Sequence, residues 1–487
     1  MQLTFIGAIE IAIGLAILLA GSLRSAFVML VISGLFGGSA AILLPALGGS
    51  SIPPMQVALL FVLLRMLAPS AGYLNVIPEA IRANLWLVVY VVYGVVLAYL
   101  GPRIFAGSMQ VAPLQPLPSA DLFATTLLGP SSQNFTSAFY LLGTLLAACS
   151  SFVFNRYCRG GTETLISAAI AVGWLHVILG LAVLAAHGTP LHAFFDLFRN
   201  GNYAQLNQSY QGFVRMRGLM PEASAYAGFG FTWFVLNAEL WYRSIRPQAT
   251  GPVALMLATA LFFSTSSTAY VGLAGYFVWF VGRAIVLPGT ANAIRLVQFG
   301  AATLGIAVML AILLLSIPAL PLQFLDVVRS MTVDKPGSES AQQRLFWAVQ
   351  GWDAFKASYG VGIGPGSFRS SSFLTAVLGA TGIVGTVSMM LYFFRVFQPL
   401  RRSTYGGVRL AELSVGGAFA ASALLMQIPN SVSAPKPDPG VAFALFSGAA
   451  IALRPRKRRT DDGPLEDTEA SIEAPRLTHE SRAIRTH

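Results

Sequence analysis

The chain contains about thirteen runs of apolar residues, most of them as long as an α-helix that crosses the hydrocarbon core of a bilayer. Only 10% of its 487 residues are charged, which is too few to cover water-soluble domains of this size. Because helices satisfy their own backbone in lipid, the runs predict an all-α polytopic membrane protein of about 12 to 13 transmembrane helices. The runs cover residues 3–20, 26–47, 54–68, 85–100, 135–154, 163–186, 223–240, 250–264, 267–287, 294–316, 373–397, 408–428 and 438–453.

Three connections between the runs are longer than a tight turn, namely residues 101–134, 187–222 and 317–372. We therefore expect residues 1–453 to form one membrane domain with three long loops. The polar segment 454–487 has too little apolar surface to offset chain entropy, so we expect a disordered tail. The basic start of this tail is expected to bind anionic lipid headgroups.

The basic residues indicate which side of the membrane each connection faces. Alternate short connections and the adjoining helix ends hold most of the arginines, whereas the other short connections hold only Lys436. Since Arg and Lys near helix ends stay in the cytoplasm, we expect a cytoplasmic tail, with the N-terminus and the three long loops outside. The basic residues behind the net charge of +11 therefore lie beside the membrane, and this charge does not predict nucleic-acid binding. The arginines of the cytoplasmic set are Arg24, Arg65, Arg82, Arg156, Arg159, Arg243, Arg246, Arg283, Arg295, Arg395, Arg401, Arg402 and Arg409.

Ionisable side chains within the apolar runs are scarce, and Glu10, His176 and Glu239 are the candidates for a function there. A transporter is expected to pair such groups or to line a path with them, whereas a lone group bonded to a neighbouring backbone is the simpler alternative. Cys149 and Cys158 lie in and just after an apolar run, which does not favour a disulfide. Function is therefore expected in the long loops.

A charged segment lies where the second long loop enters the next apolar run. It contains Arg215, Arg217, Glu222 and Ser224. Guanidinium groups suit pyrophosphate because their planar fork donates paired hydrogen bonds, and a carboxylate beside them could orient a cation or act as a base. An acid that follows Pro221 is also ordinary chemistry for the start of a helix, and both interpretations can hold.

The third long loop contains an amphipathic segment. Apolar Leu345, Val349 and Trp352 recur at helical spacing, so residues 341–357 are predicted to form a helix on the outer membrane surface. Arg344 and Asp353 are expected to face away from that surface.

A glycine-rich segment follows this helix. Gly362, Gly364 and Gly366 permit a backbone path whose successive N–H groups can bind an anion, and a plain loop is the alternative. No Lys-Ser or Lys-Thr pair follows at the position that a nucleotide-binding loop requires. Arg369 is a further cation of this segment, inferred from its charge and its side of the membrane.

Three segments together resemble the O-antigen ligase and O-antigen or exopolysaccharide polymerase superfamily of bacterial inner membranes. The first runs from Arg217 to Ser224, the second is the Ser264–Ala269 turn, and the third joins the Arg344 helix to the glycines at 362–366 and 379–385. The resemblance covers roughly residues 210–400. It implies a GT-C-like membrane fold in the bacterial inner membrane, with the long loops periplasmic and the tail cytoplasmic.

The resemblance implies a metal-independent glycosyltransferase without a cofactor. Its substrate would be an undecaprenyl-diphosphate-linked oligosaccharide, and a polymerase would join such repeat units at the periplasmic face. By similarity Arg217, Glu222 and Arg344 are the catalytic residues. Arg215 and Arg369 are supporting cations for pyrophosphate or glycan, inferred only from their charge and their side of the membrane, and the three glycines are candidates for the same role. Membrane lipids, a chain-length regulator and a flippase of the same pathway are the other implied partners.

One departure from the family bears on the kind of transfer. The ligase branch is expected to use a histidine in the large periplasmic loop, and residues 317–372 contain none. This favours a polymerase over an O-antigen ligase that transfers the glycan to another acceptor. His187 and His192 in the preceding loop are alternative bases, or else surface histidines near a helix end. A lipid-linked sugar flippase or exporter is the alternative from another class.

Overall fold

A computed structural model describes residues 1–45, 49–68, 72–115, 123–201, 209–210, 213–286, 292–316, 339–405 and 411–454. The predicted tail beyond residue 454 and the first part of the third long loop lie outside these residues. The helices are α1 (Phe5–Ala20), α2 (Leu23–Ser33), α3 (Pro54–Leu67), α4 (Ile77–Ala83), α5 (Leu85–Ile104), α6 (Ser132–Tyr157), α7 (Gly161–Ala185), α8 (Leu191–Asp196), α9 (Ala223–Tyr242), α10 (Pro247–Phe263), α11 (Ser267–Val286), α12 (Ala293–Ser316), α13 (Glu339–Ala357), α14 (Phe373–Tyr405), α15 (Ala411–Leu425), α16 (Gln427–Ser433) and α17 (Gly440–Ala452).

The described part of the chain is all-α apart from three small antiparallel sheets. The strands are β1 (Gln2–Leu3), β2 (Ile42–Leu44), β3 (Ser50–Ile52), β4 (Gln110–Val111), β5 (Thr126–Leu127), β6 (Ser209–Tyr210) and β7 (Phe213–Val214). The sheets pair β1 with β2 and β2 with β3, β4 with β5, and β6 with β7. Apart from β1, which precedes α1, the strands lie in connections between helices.

Within the described ranges, six segments are long and apolar enough to cross a membrane: α5, α6, α7, α11, α14, and α15 together with α16. Shorter apolar helices are α1, α2 with its last turn, α3, α10, the first part of α12, and α17. These helices indicate a multi-pass membrane protein. The apolar run predicted over 26–47 differs from the structure, because α2 ends at Ser33 and residues 42–44 form a strand. Glycines at 34, 37 and 38 disfavour a continuing helix there.

Helix α9 forms the centre of the protein and begins directly after Glu222. Its residues Tyr226, Phe231 and Trp233 are fully buried, and α9 packs against α7, α10, α11 and α15. A helix that is apolar on all sides needs neighbours all round it. The start of α9 is therefore held in position by the core, which fixes the place of Glu222.

The glycine-rich segment after α13 is wedged between α5, α6 and α14. A Cβ at Gly364 would lie 2.3 Å from the carbonyl oxygen of Leu97, and one at Gly366 would lie 2.3 Å from that of Gln133. Both glycines have positive φ, 94° and 88°, a conformation that other residues rarely adopt. The segment therefore needs glycine for close packing and for its backbone path.

The second long loop rests on a small apolar cluster separate from the main core. Val183 and Ala186 at the end of α7 pack with Phe195 of α8 and with Leu219. The segment after α8 is tied to the connection that follows α2, because the N–H of Gly201 donates to the carbonyl oxygen of Gly38 at 3.1 Å. These contacts place the residues around α8 beside the approach to α9.

Candidate functional site

Glu222, Arg344 and Arg369 form one electrostatic group, which we call the Glu222 group. Burial lowers the pKa of Arg369 below its ordinary value, the charge of Glu222 opposes this shift, and the charge of Arg344 adds to it. Glu222 is the N-cap of α9, and its carboxylate accepts a hydrogen bond from the hydroxyl of Ser224. Two separate loops thus bring two guanidinium groups and one carboxylate together.

Arg344 is held between the third long loop and the helices. Its Nη1 donates to the carbonyl oxygen of Val432 in α16 at 3.3 Å. Its own carbonyl oxygen accepts from the hydroxyl of Ser371, in the turn that leads into α14. Helix α13 therefore presents Arg344 toward the protein, as its amphipathic pattern predicts.

The other face of α13 is apolar and exposed. Leu345, Val349 and Trp352 are 66%, 45% and 47% exposed. This is the stripe that the sequence assigns to the outer membrane surface, and its exposure leaves that face open to lipid. Contact with a bilayer itself stays a prediction.

Arg369 is fixed by its backbone and by an aromatic ring. Its N–H donates to the carbonyl oxygen of Ala112 at 2.8 Å. The centre of its guanidinium lies 4.2 Å from the centroid of the Trp347 ring, a cation–π contact that orients the group. Trp347 follows Arg344 on α13, so both arginines depend on the same helix.

Arg215 connects the first and second segments of the predicted site. Its Nη2 donates to the carbonyl oxygen of Thr265 at 3.0 Å. Thr265 lies in the turn between α10 and α11 with a φ of 50°, which is uncommon for a residue other than glycine. The bond explains how the Ser264–Ala269 turn, buried at Ser264 and Ser266, comes to lie beside the arginine-rich segment.

Arg217 belongs to a second group with His192, Asp196 and Arg199, which we call the Arg199 group. Arg217 is only 5% exposed. Burial and the charge of Arg199 lower the pKa of Arg217 to about 10, while the charge of Asp196 opposes the shift.

The two histidines proposed as alternative bases lie near the Arg199 group. The ring centroids of His187 and His192 are 5.4 Å apart and the rings meet edge to face. His192 Nε2 is 3.8 Å from Oδ2 of Asp196, and Oδ1 of Asp196 is 2.5 Å from Nη2 of Arg199. His192 is thus linked through one carboxylate to a buried arginine, whereas His187 is exposed.

Two of the three predicted anion-binding glycines, Gly362 and Gly364, use their N–H groups within the protein. Gly362 donates to the hydroxyl of Ser358 at 2.9 Å, and Gly364 donates to the carbonyl oxygen of Ala380 at 3.0 Å. Ile363, which lies between them, donates to the carbonyl oxygen of Gly379 at 3.0 Å. The observed contacts of these glycines are therefore packing contacts, and a role in binding substrate stays a prediction.

The ionisable groups inside the helices are engaged by neighbours. Ser33 donates to Glu10 at 2.8 Å. Glu239 lies between two arginines, because Nη1 of Arg283 is 3.0 Å from its Oε2 and Arg243 also pairs with it. A buried carboxylate held by two cations is a structural tie between helices.

His176 stacks on Tyr226, with ring centroids 3.9 Å apart. It is buried where α7 meets α9, and the contact leaves its ring within the helix packing.

Arg199 and Asp196 are charged residues of the site that the sequence did not single out. Their spacing offers a signal, since His192, Asp196 and Arg199 recur at four and three residues, as neighbours on one helical face do. In the described ranges, no group of three or more His, Cys, Asp or Glu side chains could hold a metal ion. The site that can be described is therefore one of arginines and isolated carboxylates.

Comparison with known proteins gives no relative. No family model matches the chain, and no curated protein sequence matches it.

Proposed function

We propose that this protein is a polysaccharide polymerase of the bacterial inner membrane. It joins undecaprenyl-diphosphate-linked oligosaccharide repeat units at the periplasmic face by metal-independent glycosyl transfer. The observation that carries the proposal is the Glu222 group, in which the charges of a carboxylate from the second long loop and of an arginine from the third both act on Arg369. Those are the residue types that the departure of a lipid pyrophosphate and the activation of a hydroxyl require.

The reaction forms a bond between an acceptor hydroxyl oxygen and the anomeric carbon of the donor. The bond between that carbon and the pyrophosphate oxygen breaks, and the lipid diphosphate leaves with the electron pair. Arg344 and Arg369 stabilise the negative charge that develops on the leaving group, since guanidinium forks donate paired hydrogen bonds to phosphate. Glu222 accepts the proton of the hydroxyl or orients it.

The outer position of this group rests on the distribution of arginines in the sequence. With about 12 to 13 spans, the long loops face the periplasm and the tail faces the cytoplasm. The apolar stripe of α13 supports the proposal, because an exposed row of Leu345, Val349 and Trp352 suits the surface of the outer leaflet.

The orientation can be tested with a single cysteine at Tyr359, which is 92% exposed just after α13. A Tyr359→Cys variant, with Cys149 and Cys158 replaced by serine, should react with an impermeant maleimide added to intact spheroplasts. Reaction only after the inner membrane is opened would contradict the proposed orientation. A cysteine at Arg401 on the other predicted side is the matched control, and it should react only in opened membranes.

A transferase that uses the Glu222 group requires both arginines. Arg344→Ala and Arg369→Ala should each abolish conversion of lipid-linked repeat units to long polymer by purified protein in nanodiscs. Arg401→Ala removes an exposed arginine on the opposite predicted side and should leave the length distribution unchanged. Wild-type polymer lengths in both site variants would refute the assignment. A polymerase is preferred to a ligase because residues 317–372 contain no histidine.

A further inference from the structure

Arg199 is a buried cation whose hydrogen-bonding capacity is only partly used. The residue is 2% exposed. Its Nη2 lies 2.5 Å from Oδ1 of Asp196. Its Nε and Nη1 are also buried and have no hydrogen-bond partner among the residues that the structure describes. Leaving buried donors of a charged group unpaired costs free energy. A buried guanidinium with unpaired donors is therefore a candidate site for binding an anion.

Arg217 and Asp196 are charged neighbours of Arg199. Arg217 is 5% exposed, and the charge of Arg199 lowers its pKa. Asp196 opposes the lowered pKa of both arginines. The apolar cluster of Val183, Phe195 and Leu219 adjoins these residues in the chain, because Phe195 precedes Asp196 and Leu219 follows Arg217 by two positions. Apolar surroundings strengthen the attraction between a guanidinium and an anion.

His192 and Asp196 are the more exposed members of the Arg199 group. The Arg199 side chain is 0% exposed, whereas those of His192 and Asp196 are 22% and 33% exposed. Asp196, which pairs with the buried fork, is therefore accessible to solvent. The pairing of Asp196 with Arg199 shows that this guanidinium binds a carboxylate. A carboxylate of a ligand can therefore compete with Asp196 for Arg199.

We propose that the Arg199 group is an oxyanion-binding subsite that takes a carboxylate of the glycan, so that the preferred substrate is an acidic polysaccharide unit. The Glu222 group, which shares no residue with it, receives the pyrophosphate. A substrate that is negatively charged only at its diphosphate would need one cluster of arginines. This chain has arginines in both the Glu222 group and the Arg199 group. The glycan as the source of the carboxylate rests on the proposed function, whereas binding of an oxyanion does not.

Equilibrium binding to the full-length protein in nanodiscs tests this subsite without any turnover. The probes are a tetramer of galacturonic acid, a neutral tetramer of galactose, and inorganic pyrophosphate. Wild-type protein should bind the acidic tetramer more tightly than the neutral one. Arg199→Gln should weaken binding of the acidic tetramer about tenfold, because a charge-assisted bond is lost. Arg199→Lys should weaken it as well, since lysine lacks the fork.

Asp196→Asn separates binding from folding. It removes the internal competitor, so it should strengthen binding of the acidic tetramer, a gain that misfolding cannot produce. Arg103→Gln, which removes an exposed arginine at the end of α5, should have no effect. Arg344→Gln should weaken pyrophosphate and leave the acidic tetramer within about twofold of wild type, because its charge belongs to the other group.

Three results would overturn the proposal. They are equal affinity of wild-type protein for the acidic and neutral tetramers, unchanged binding of the acidic tetramer in Arg199→Gln, and no gain in Asp196→Asn. Loss of pyrophosphate binding in Arg199→Gln, with its retention in Arg344→Gln, would show instead that the lipid diphosphate occupies this subsite. If the Glu222 group proves inactive in transfer while the acidic tetramer still binds through Arg199, the proposed function fails and the oxyanion subsite stands.

Discussion

Arg344 donates through Nη1 to the carbonyl oxygen of Val432, 3.3 Å away, and this bond joins α13 to α16. Catalysis requires hydrogen-bond donors that are fixed in position. A catalytic arginine on a helix that moved with its loop would not meet this requirement. Here the cation is fixed to the backbone of the helical bundle on one side and beside the start of α9 on the other. The position of the Glu222 group therefore depends on the docking of α13.

The Trp347 ring should matter for transfer although it carries no charge. Its centroid lies 4.2 Å from the guanidinium centre of Arg369, and a cation–π contact contributes about 0.5–2 kcal/mol. Trp347→Leu should therefore lower the rate of polymer formation about 2- to 30-fold. Trp352→Leu, which changes a tryptophan that is 47% exposed on the same helix, is the control. Equal rates for the two variants would argue against a role for the stack.

Gly364 should not tolerate alanine. A Cβ there would lie 2.3 Å from the carbonyl oxygen of Leu97, at a φ of 94°, so both the contact and the backbone resist the change. We expect Gly364→Ala to cost at least about 2 kcal/mol in stability, visible as a lower unfolding temperature in detergent. Gly305→Ala on α12, where nothing lies within 4 Å, should unfold at or above the wild-type temperature. Similar shifts for both would contradict the wedged position of the segment.

Glu239 should contribute far more to stability than an exposed acid. It is buried and paired with Arg243 and Arg283, and Glu239→Gln would leave two buried cations without their counter-charge. We expect a cost of about 3–5 kcal/mol, measured by thermal unfolding. Glu163→Gln breaks an exposed pair with Arg246, whose side chains are 62% and 44% exposed, and should cost about 0–1 kcal/mol. Equal losses would mean that the Glu239 pairing adds nothing.

The sequence predicted the positions of many helices, because a long apolar run is typical of a helix that lies in lipid. The runs predicted near Leu85, Gly161 and Ala223 begin within a few residues of the observed helices. The run at 26–47 was predicted as one helix, and it divides because glycines interrupt it and its end pairs as a strand with β1 and β3. Hydropathy alone does not distinguish a short apolar strand from a helix.

The pH dependence of a lysine variant should report the surroundings of Arg217. Burial and the charge of Arg199 lower the pKa of Arg217 to about 10, so the wild-type residue is charged at neutral pH. In Arg217→Lys the same surroundings should lower the pKa of a group that ordinarily titrates near about 10.4. A lowered pKa means that the proton is lost at lower pH. Polymer formation by the variant should therefore decline with rising pH at least about one unit earlier than in wild type.

If polymer formation by Arg217→Lys declines at the same alkaline pH as in wild type, the described surroundings of Arg217 are contradicted. Arg215→Lys is the matched variant, because Arg215 lies two residues away and donates to the carbonyl oxygen of Thr265. Its decline should stay closer to that of wild type.

The site was only partly predictable from the sequence. Charge and the resemblance selected Arg344, Arg369 and Glu222, and in the structure the charges of Glu222 and Arg344 both act on Arg369. The sequence grouped Arg217 with Arg344, and the structure adds Arg199 as a charge that acts on Arg217. No spacing in the chain encodes that proximity. The glycines were chosen for their N–H groups, and only the packing shows that those of Gly362 and Gly364 already have acceptors.

The most direct test supplies purified protein in nanodiscs with a defined undecaprenyl-diphosphate-linked repeat unit and a metal chelator. The measurement is the length of the glycan on the lipid, together with the release of undecaprenyl diphosphate. The account predicts a ladder of multiples of the repeat unit, with about one lipid diphosphate released for each bond formed. Repeat units that remain single and fully lipid-linked, while the protein is folded and binds them, would contradict it.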